Sequence, residues 1–141
     1  MAAVFPSVMT SLLARTEITS YFAAIKRHRV DVPTYAGAMP LLQVYVTNNA
    51  KARDAGSGKA IQVAHYTAVV AGKMRANTGQ DELIGEMTDV LILAAQNLVY
   101  NAGGHMARVI PDDWAADDNI GEKAGDKVWV EVPLAVHVLP I

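Results

Sequence analysis

At the C-terminal end of the chain, Val128, Val130, Val132, Leu134, Val136 and Val138 are apolar without a break, while Trp129, Glu131, Pro133, Ala135, His137 and Leu139 alternate with them. A period of two places successive side chains on opposite faces, so this stretch predicts a long strand. Pro133 has no N–H for a ladder, which predicts an open side or a bulge at that point. Two more stretches alternate. From Pro40 to Thr47, Leu42, Val44 and Val46 share one face; from Ala60 to Ala71, both faces are fairly apolar. A strand apolar on both faces predicts cover on both sides. His105 to Ile110 predicts a fourth, shorter strand.

Helical spacing occurs twice. Val8, Leu12, Ile18, Phe22 and Ile25 predict a first helix that starts near Ser7 and closes on Lys26-Arg27-His28-Arg29, where positive charge suits the exposed carbonyls. Leu83, Met87, Val90, Leu91, Ala94 and Leu98 form the stripe of a second helix, widened by Ile84, Ile92, Leu93, Ala95 and Val99. Thr78 with Asp81 suggests a capping box at its start, and Asn101-Ala102-Gly103-Gly104 suggests its end. Gly85 lies inside it, costing roughly 1 kcal/mol relative to alanine and leaving room for a close backbone approach. A helix this apolar around its circumference is deeply buried or packs on a second partner. The order helix, strand, strand, helix, strand, strand predicts one α+β domain over residues 1–141. Its sheet is expected to be mostly antiparallel, four-stranded or slightly larger, with two main helices on one face.

Apolar residues make up 52 % of the 141 residues and charged residues 18 %, which excludes a disordered chain and suggests apolar surface covered by neighbouring subunits. A formal net charge of −2 supplies no global attraction for nucleic acid or an anionic membrane. With no cysteine there is no disulfide, thiolate metal site or thiol nucleophile. The N-terminal run lacks the early positive charge of a secretory signal, and Val90 to Ala95 is far too short to span a bilayer. A soluble intracellular protein is expected.

Three stretches invite a chemical reading. In Arg53-Asp54-Ala55-Gly56-Ser57-Gly58-Lys59-Ala60, a phosphate loop would need glycine where Arg53 stands and a hydroxyl where Ala60 stands. It would also need a helix to follow, but the residues that follow alternate. A hairpin connection is therefore expected, carrying Lys51, Arg53 and Lys59 against Asp54. The segment from Pro111 to Lys127 sets six acids (Asp112, Asp113, Asp117, Asp118, Glu122 and Asp126) against Lys123 and Lys127, a net of −4. Its acidic doublets do not alternate, and Val128 stands where a calcium loop starting at Asp117 would close with glutamate. A solvated or partner-facing loop is expected, with Trp114 as its anchor. The histidines, His28, His65, His105 and His137, have no helical metal spacing, although His65 and His137 could be neighbours across the sheet. No metal, cofactor or catalytic constellation is expected.

The succession of Pro40 to Val46, the strand Ile61 to Val70, the helix Asp81 to Leu98, the tryptophan-bearing acidic loop and the closing Trp129 to Val138 resembles the tail terminator proteins of long-tailed bacteriophages, the lambda gpU-like group. The likeness covers nearly the whole chain and is one of pattern and length. It implies a non-enzymatic virion protein of the tail or neck, assembled in the host cytoplasm. It also implies a homo-oligomeric ring, a hexamer, that ends tail-tube growth and meets the head connector. Its partners would be the tail-tube protein and connector or neck proteins; DNA would pass through without specific binding, and no membrane is involved. Leu91 and Ile92 of the second helix, Trp114, Trp129 and the basic Lys51, Arg53 and Lys59 would then supply subunit or partner contacts. Asp112, Asp113, Asp117 and Asp118 would face the lumen or an axial partner. The alternatives are another neck component, such as a head-completion or connector protein, and a small α+β ligand-binding domain or enzyme built around His65, Tyr66 and His137.

Overall fold

In a computed structural model of the chain, the described residues are 4–54, 60–111 and 121–140, with backbone alone described for 48–54 and 60. Helices α1 (Val4–Leu13) and α2 (Thr16–Tyr21) lead into strand β1 (Ala24–Lys26) and a short 3-10 turn, Val32–Thr34. Strands β2 (Leu41–Asp54) and β3 (Ala60–Lys73) precede helix α3 (Gln80–Asn97). Strands β4 (Tyr100–Ala102), β5 (His105–Pro111), β6 (Glu122–Ala124) and β7 (Lys127–Pro140) complete the chain.

The sheet corrects the sequence expectation. It has seven strands rather than about four, in the order β1-β2-β3-β7-β5-β4, with β6 also paired to β7. It is mixed, because β1 runs parallel to β2, and it curls into a half-barrel accompanied by three helices rather than two. The first helical pattern fails as one helix because strand pairing competes with it. Arg15 adopts an extended conformation between α1 and α2. Beyond Tyr21, the N–H groups of Ala23 and Ala24 donate to Pro40 O at 2.8 and 3.2 Å, and Ile25 then pairs with Leu42. Backbone groups that leave the helix at Ala23 to Lys26 thus find partners at Pro40 and in β2. Lys26 consequently lies in a strand, and Arg27 folds back to donate to Thr10 Oγ1 at 2.9 Å.

The polar stretch after Thr47 is strand as far as Asp54. Register shifts between Val46 and Asn48 and between Asn48 and Lys51 mark bulges, which explains why its alternation is invisible in the sequence. At the first bulge the Thr47 hydroxyl donates to His65 O at 3.1 Å. Gly103 and Gly104, read as a helix stop, have φ of 60° and 78°. They form the two-residue β4–β5 hairpin turn, which needs positive φ at both central positions. Helix α3 ends earlier, at Asn97, and starts from Gly79 rather than Thr78: Gly79 N–H donates to Glu82 Oε1 at 3.3 Å. Among the described residues, nothing lies within 4 Å of where a Cβ of Gly85 would sit, so no close approach there requires glycine.

The main core lies between the helices and one face of the sheet. Phe5, Val8, Met9, Leu12 and Leu13 recur at i, i+3, i+4, i+7 and i+8 on α1, and Leu83, Ile84, Met87, Leu91, Ala94 and Ala95 line the inner side of α3. They pack on Ala64, Tyr66, Ala68 and Val70 of β3 and on Val128 through Val138, at alternate positions, of β7. Each large side chain so buried contributes roughly 1.5–3 kcal/mol. On that edge of β7, no described strand pairs with Val130–Pro133, the gap between β5 and β6, and Pro133 lies in it.

The opposite, outer face of the sheet has cover of its own at one end. Residues 29–35 cross it as a strap, and Val32 is buried beneath with Leu41, Val69 and Ala71. Two side chains fasten the strap. The buried Gln43 accepts from Val30 N–H at 2.6 Å and donates to Val30 O at 3.0 Å, so an amide side chain imitates a strand partner. The Lys127 ammonium donates to Val32 O at 3.3 Å, to Pro33 O at 3.2 Å and to Tyr35 O. Gln43→Leu leaves both polar groups of Val30 without their partner, and is expected to cost about 1–3 kcal/mol. A lower urea midpoint, with faster amide exchange at Val30, checks this; an unchanged midpoint contradicts it.

Candidate functional site

Beside the strap, the outer face holds a cleft of about 610 Å³ lined by Arg29, Asp31, Gln43, Tyr45, Glu122, Trp129 and Glu131, among others. Register explains the convergence. Gln43 pairs with Val69 and Tyr45 with Thr67 on one side of β3, while Val69 pairs with Glu131 and Ala71 with Trp129 on the other. Odd-numbered positions of three adjacent strands therefore present two aromatics and a carboxylate to one side. Glu122 joins them because β6 pairs it with Trp129. Gly121, just before, has φ 74° and would place a Cβ 2.5 Å from Trp129 O, so the chain reaches this register only with glycine there. Burial raises the Tyr45 pKa above its ordinary value, the charge of Glu131 adds to this, and Arg29 opposes it. With three acids and one arginine on aromatic walls, the cleft suits a cationic group.

Further along the same face, β5 presents Met106, Arg108 and Ile110. Met106 is 49 % and Ile110 37 % exposed, and Arg108 is exposed between them. Their partners on β7 are Leu139, His137 and Ala135. His65 pairs with Ala135 and His137 with Val63, so the two histidines are diagonal neighbours on this face. Tyr66 points the other way, into the helix-side core. Thus His65, Tyr66 and His137 do not converge on one site.

On the helix side, Tyr21 Oη donates to Glu86 Oε2 at 2.5 Å, and Arg75 Nη2 donates to the same oxygen at 2.9 Å. Burial, with the Glu86 carboxylate as acceptor, raises the Tyr21 pKa. These groups line a second cleft of about 420 Å³ and join α2 to α3 and to the turn after β3. Nearby, Arg15 Nε and Nη2 donate to the two Glu17 carboxylate oxygens at 3.0 Å each, and Asn97 Nδ2 donates to Glu17 Oε2 at 2.8 Å. The Arg15 hydrogen bonds first, then that from Asn97, lower the Glu17 pKa from 4.5 to about 2. A carboxylate with a depressed folded-state pKa stabilises fully above its unfolded value, and that stability is lost as pH falls through the folded one. Thermal unfolding followed between pH 5 and pH 2 should therefore lose less stability in Glu17→Gln than in the parent; parallel curves contradict this assignment.

Of the contact residues expected from sequence, Trp129 lies half-buried in the outer cleft, Ile92 is half-buried on α3, and Leu91 is fully buried in the chain's own core. Leu91 therefore offers no surface to a neighbour. Lys51 and Arg53 lie in β2 with only their backbone described; Lys59, Trp114, Asp112, Asp113, Asp117 and Asp118 lie outside the described residues. Among the described residues, no group of three or more His, Asp or Glu side chains is placed to hold a metal, and no helix is long and apolar enough to cross a membrane. Sequence reasoning missed Arg29, Asp31, Gln43, Tyr45 and Glu131. Their only signal was polar or aromatic character at alternate strand positions, which says nothing of the strap that turns a sheet face into a cleft. No family model matches the chain, and no curated protein matches its sequence.

Proposed function

We propose that the chain is the subunit of a structural virion ring, a tail terminator of a long-tailed phage. In this role it caps the tail tube, stops its growth and joins it to the head connector, while DNA passes through the ring without specific binding. One observation supports this beyond the resemblance in pattern. Large apolar side chains are exposed on both sides of the sheet: Leu93 on α3 on the helix side, and Met106 and Ile110 on the outer face, with Val46 of β2 and Val99 also exposed. A head-to-tail ring needs two different patches per subunit. An isologous dimer needs only one.

Loss of the chain tests this role in the phage that encodes it. A stop codon early in its reading frame is expected to yield tail tubes of excessive length with no heads attached. Tubes of normal length without heads would assign it to another neck component, and intact infectious particles would overturn a virion role.

A further inference from the structure

We propose, on the basis of the ring reading, that the Met106–Arg108–Ile110 row of one copy seats in the outer cleft of the next, where Arg108 meets Glu122 and Glu131 beside Trp129. Among the described residues, Arg108, Glu122 and Glu131 form no ion pair. They cannot pair within one chain. Arg108 is opposite His137, and Glu131 is six positions along β7 from His137, roughly 20 Å at the rise of a strand. An ion pair needs N···O within about 4 Å. The row has the composition of an interface centre, an arginine between two exposed apolar side chains. The cleft offers the complement: aromatic walls from Tyr45 and Trp129 and an excess of carboxylates. Each copy carries one row and one cleft, so a closed ring satisfies all of them, and desolvation on docking would strengthen each pair.

Exchange of the charges tests this with the full chain. Arg108→Glu and Glu131→Arg are surface changes, and each should keep the parent's melting behaviour. Each alone is expected to weaken self-association by roughly tenfold or more, measured by sedimentation velocity across a concentration series. Mixed one to one, the two variants should assemble again. In an alternating ring every interface then sets one arginine against one glutamate, either in the parent arrangement or with the two charges exchanged. A parent that forms rings while both variants assemble equally well, or a mixture that shows no recovery, overturns this pairing and leaves the ring standing. Dimers that the variants disrupt and the mixture restores keep the pairing and overturn the ring. A parent monomeric at its highest soluble concentration overturns both.

Discussion

Leu91→Ala is expected to destabilise the protein by about 2–5 kcal/mol, the range for emptying a buried leucine site. Leu91 is fully buried mid-helix, in the same core cluster as Met87, Ala94 and Ala95 and the alternate valines of β7. Its helix packs on the sheet on one side and on α2 on the other, so the space left behind cannot readily collapse. The loss should be independent of protein concentration, because the side chain lies wholly within the chain's own core. Urea unfolding of parent and variant at two widely separated concentrations measures it. A loss below about 1 kcal/mol, or one that appears only where the parent is assembled, would return Leu91 to the interface.

Gly121→Ala is expected to cost about 3 kcal/mol, from two sources. At φ 74° a side chain strains the backbone, and the added Cβ would lie 2.5 Å from Trp129 O and closer still to Ile84 Cδ1. The isoleucine can rotate away, but the carbonyl belongs to β7 and cannot move without disturbing the β6 pairing. Gly125 and Gly85 provide controls. Gly125 has positive φ but no described atom within 4 Å of the added Cβ, so Gly125→Ala should carry only the backbone cost, about 1 kcal/mol. Gly85 is helical with open space, and Gly85→Ala should stabilise by up to about 1 kcal/mol. Melting temperatures in the order Gly85→Ala, parent, Gly125→Ala, Gly121→Ala, from highest to lowest, check the series; equal values for the last two would remove the contact with Trp129 O from the explanation.

Local alternation in the sequence made β7, β3 and β5 legible, since each keeps a period of two over its described length. Expected cover on both faces of β3 corresponds to the helices on one side and the strap on the other. Three parts of the fold were hidden for identifiable reasons. The Ala24–Lys26 strand looks helical from its apolar spacing, and only its parallel partner Leu41–Gln43 makes it a strand. Bulges interrupt the alternation of β2 after Val46, so its polar half reads as loop. Gly103-Gly104 ends a helix or turns a hairpin equally well, and the choice depends on whether Tyr100–Ala102 finds β5. The candidate site was less legible still. Trp129 stood out by type, but its companions come from the strap, β2 and β6, which pattern alone does not bring together. Lys127 appeared as one charge of an acidic segment, yet its ammonium gathers three strap carbonyls.

If the chain is a ring subunit with unlike contacts on its two sides, the purified protein closes on itself as its concentration rises. Native mass spectrometry of the purified chain over a rising concentration series, with negative-stain images of the same samples, tests it most directly. One closed species is expected, a hexamer, with a central hole in end-on views and dissociation as salt screens the charged contacts. A monomer at every concentration, or a two-fold dimer that grows no further, would contradict it.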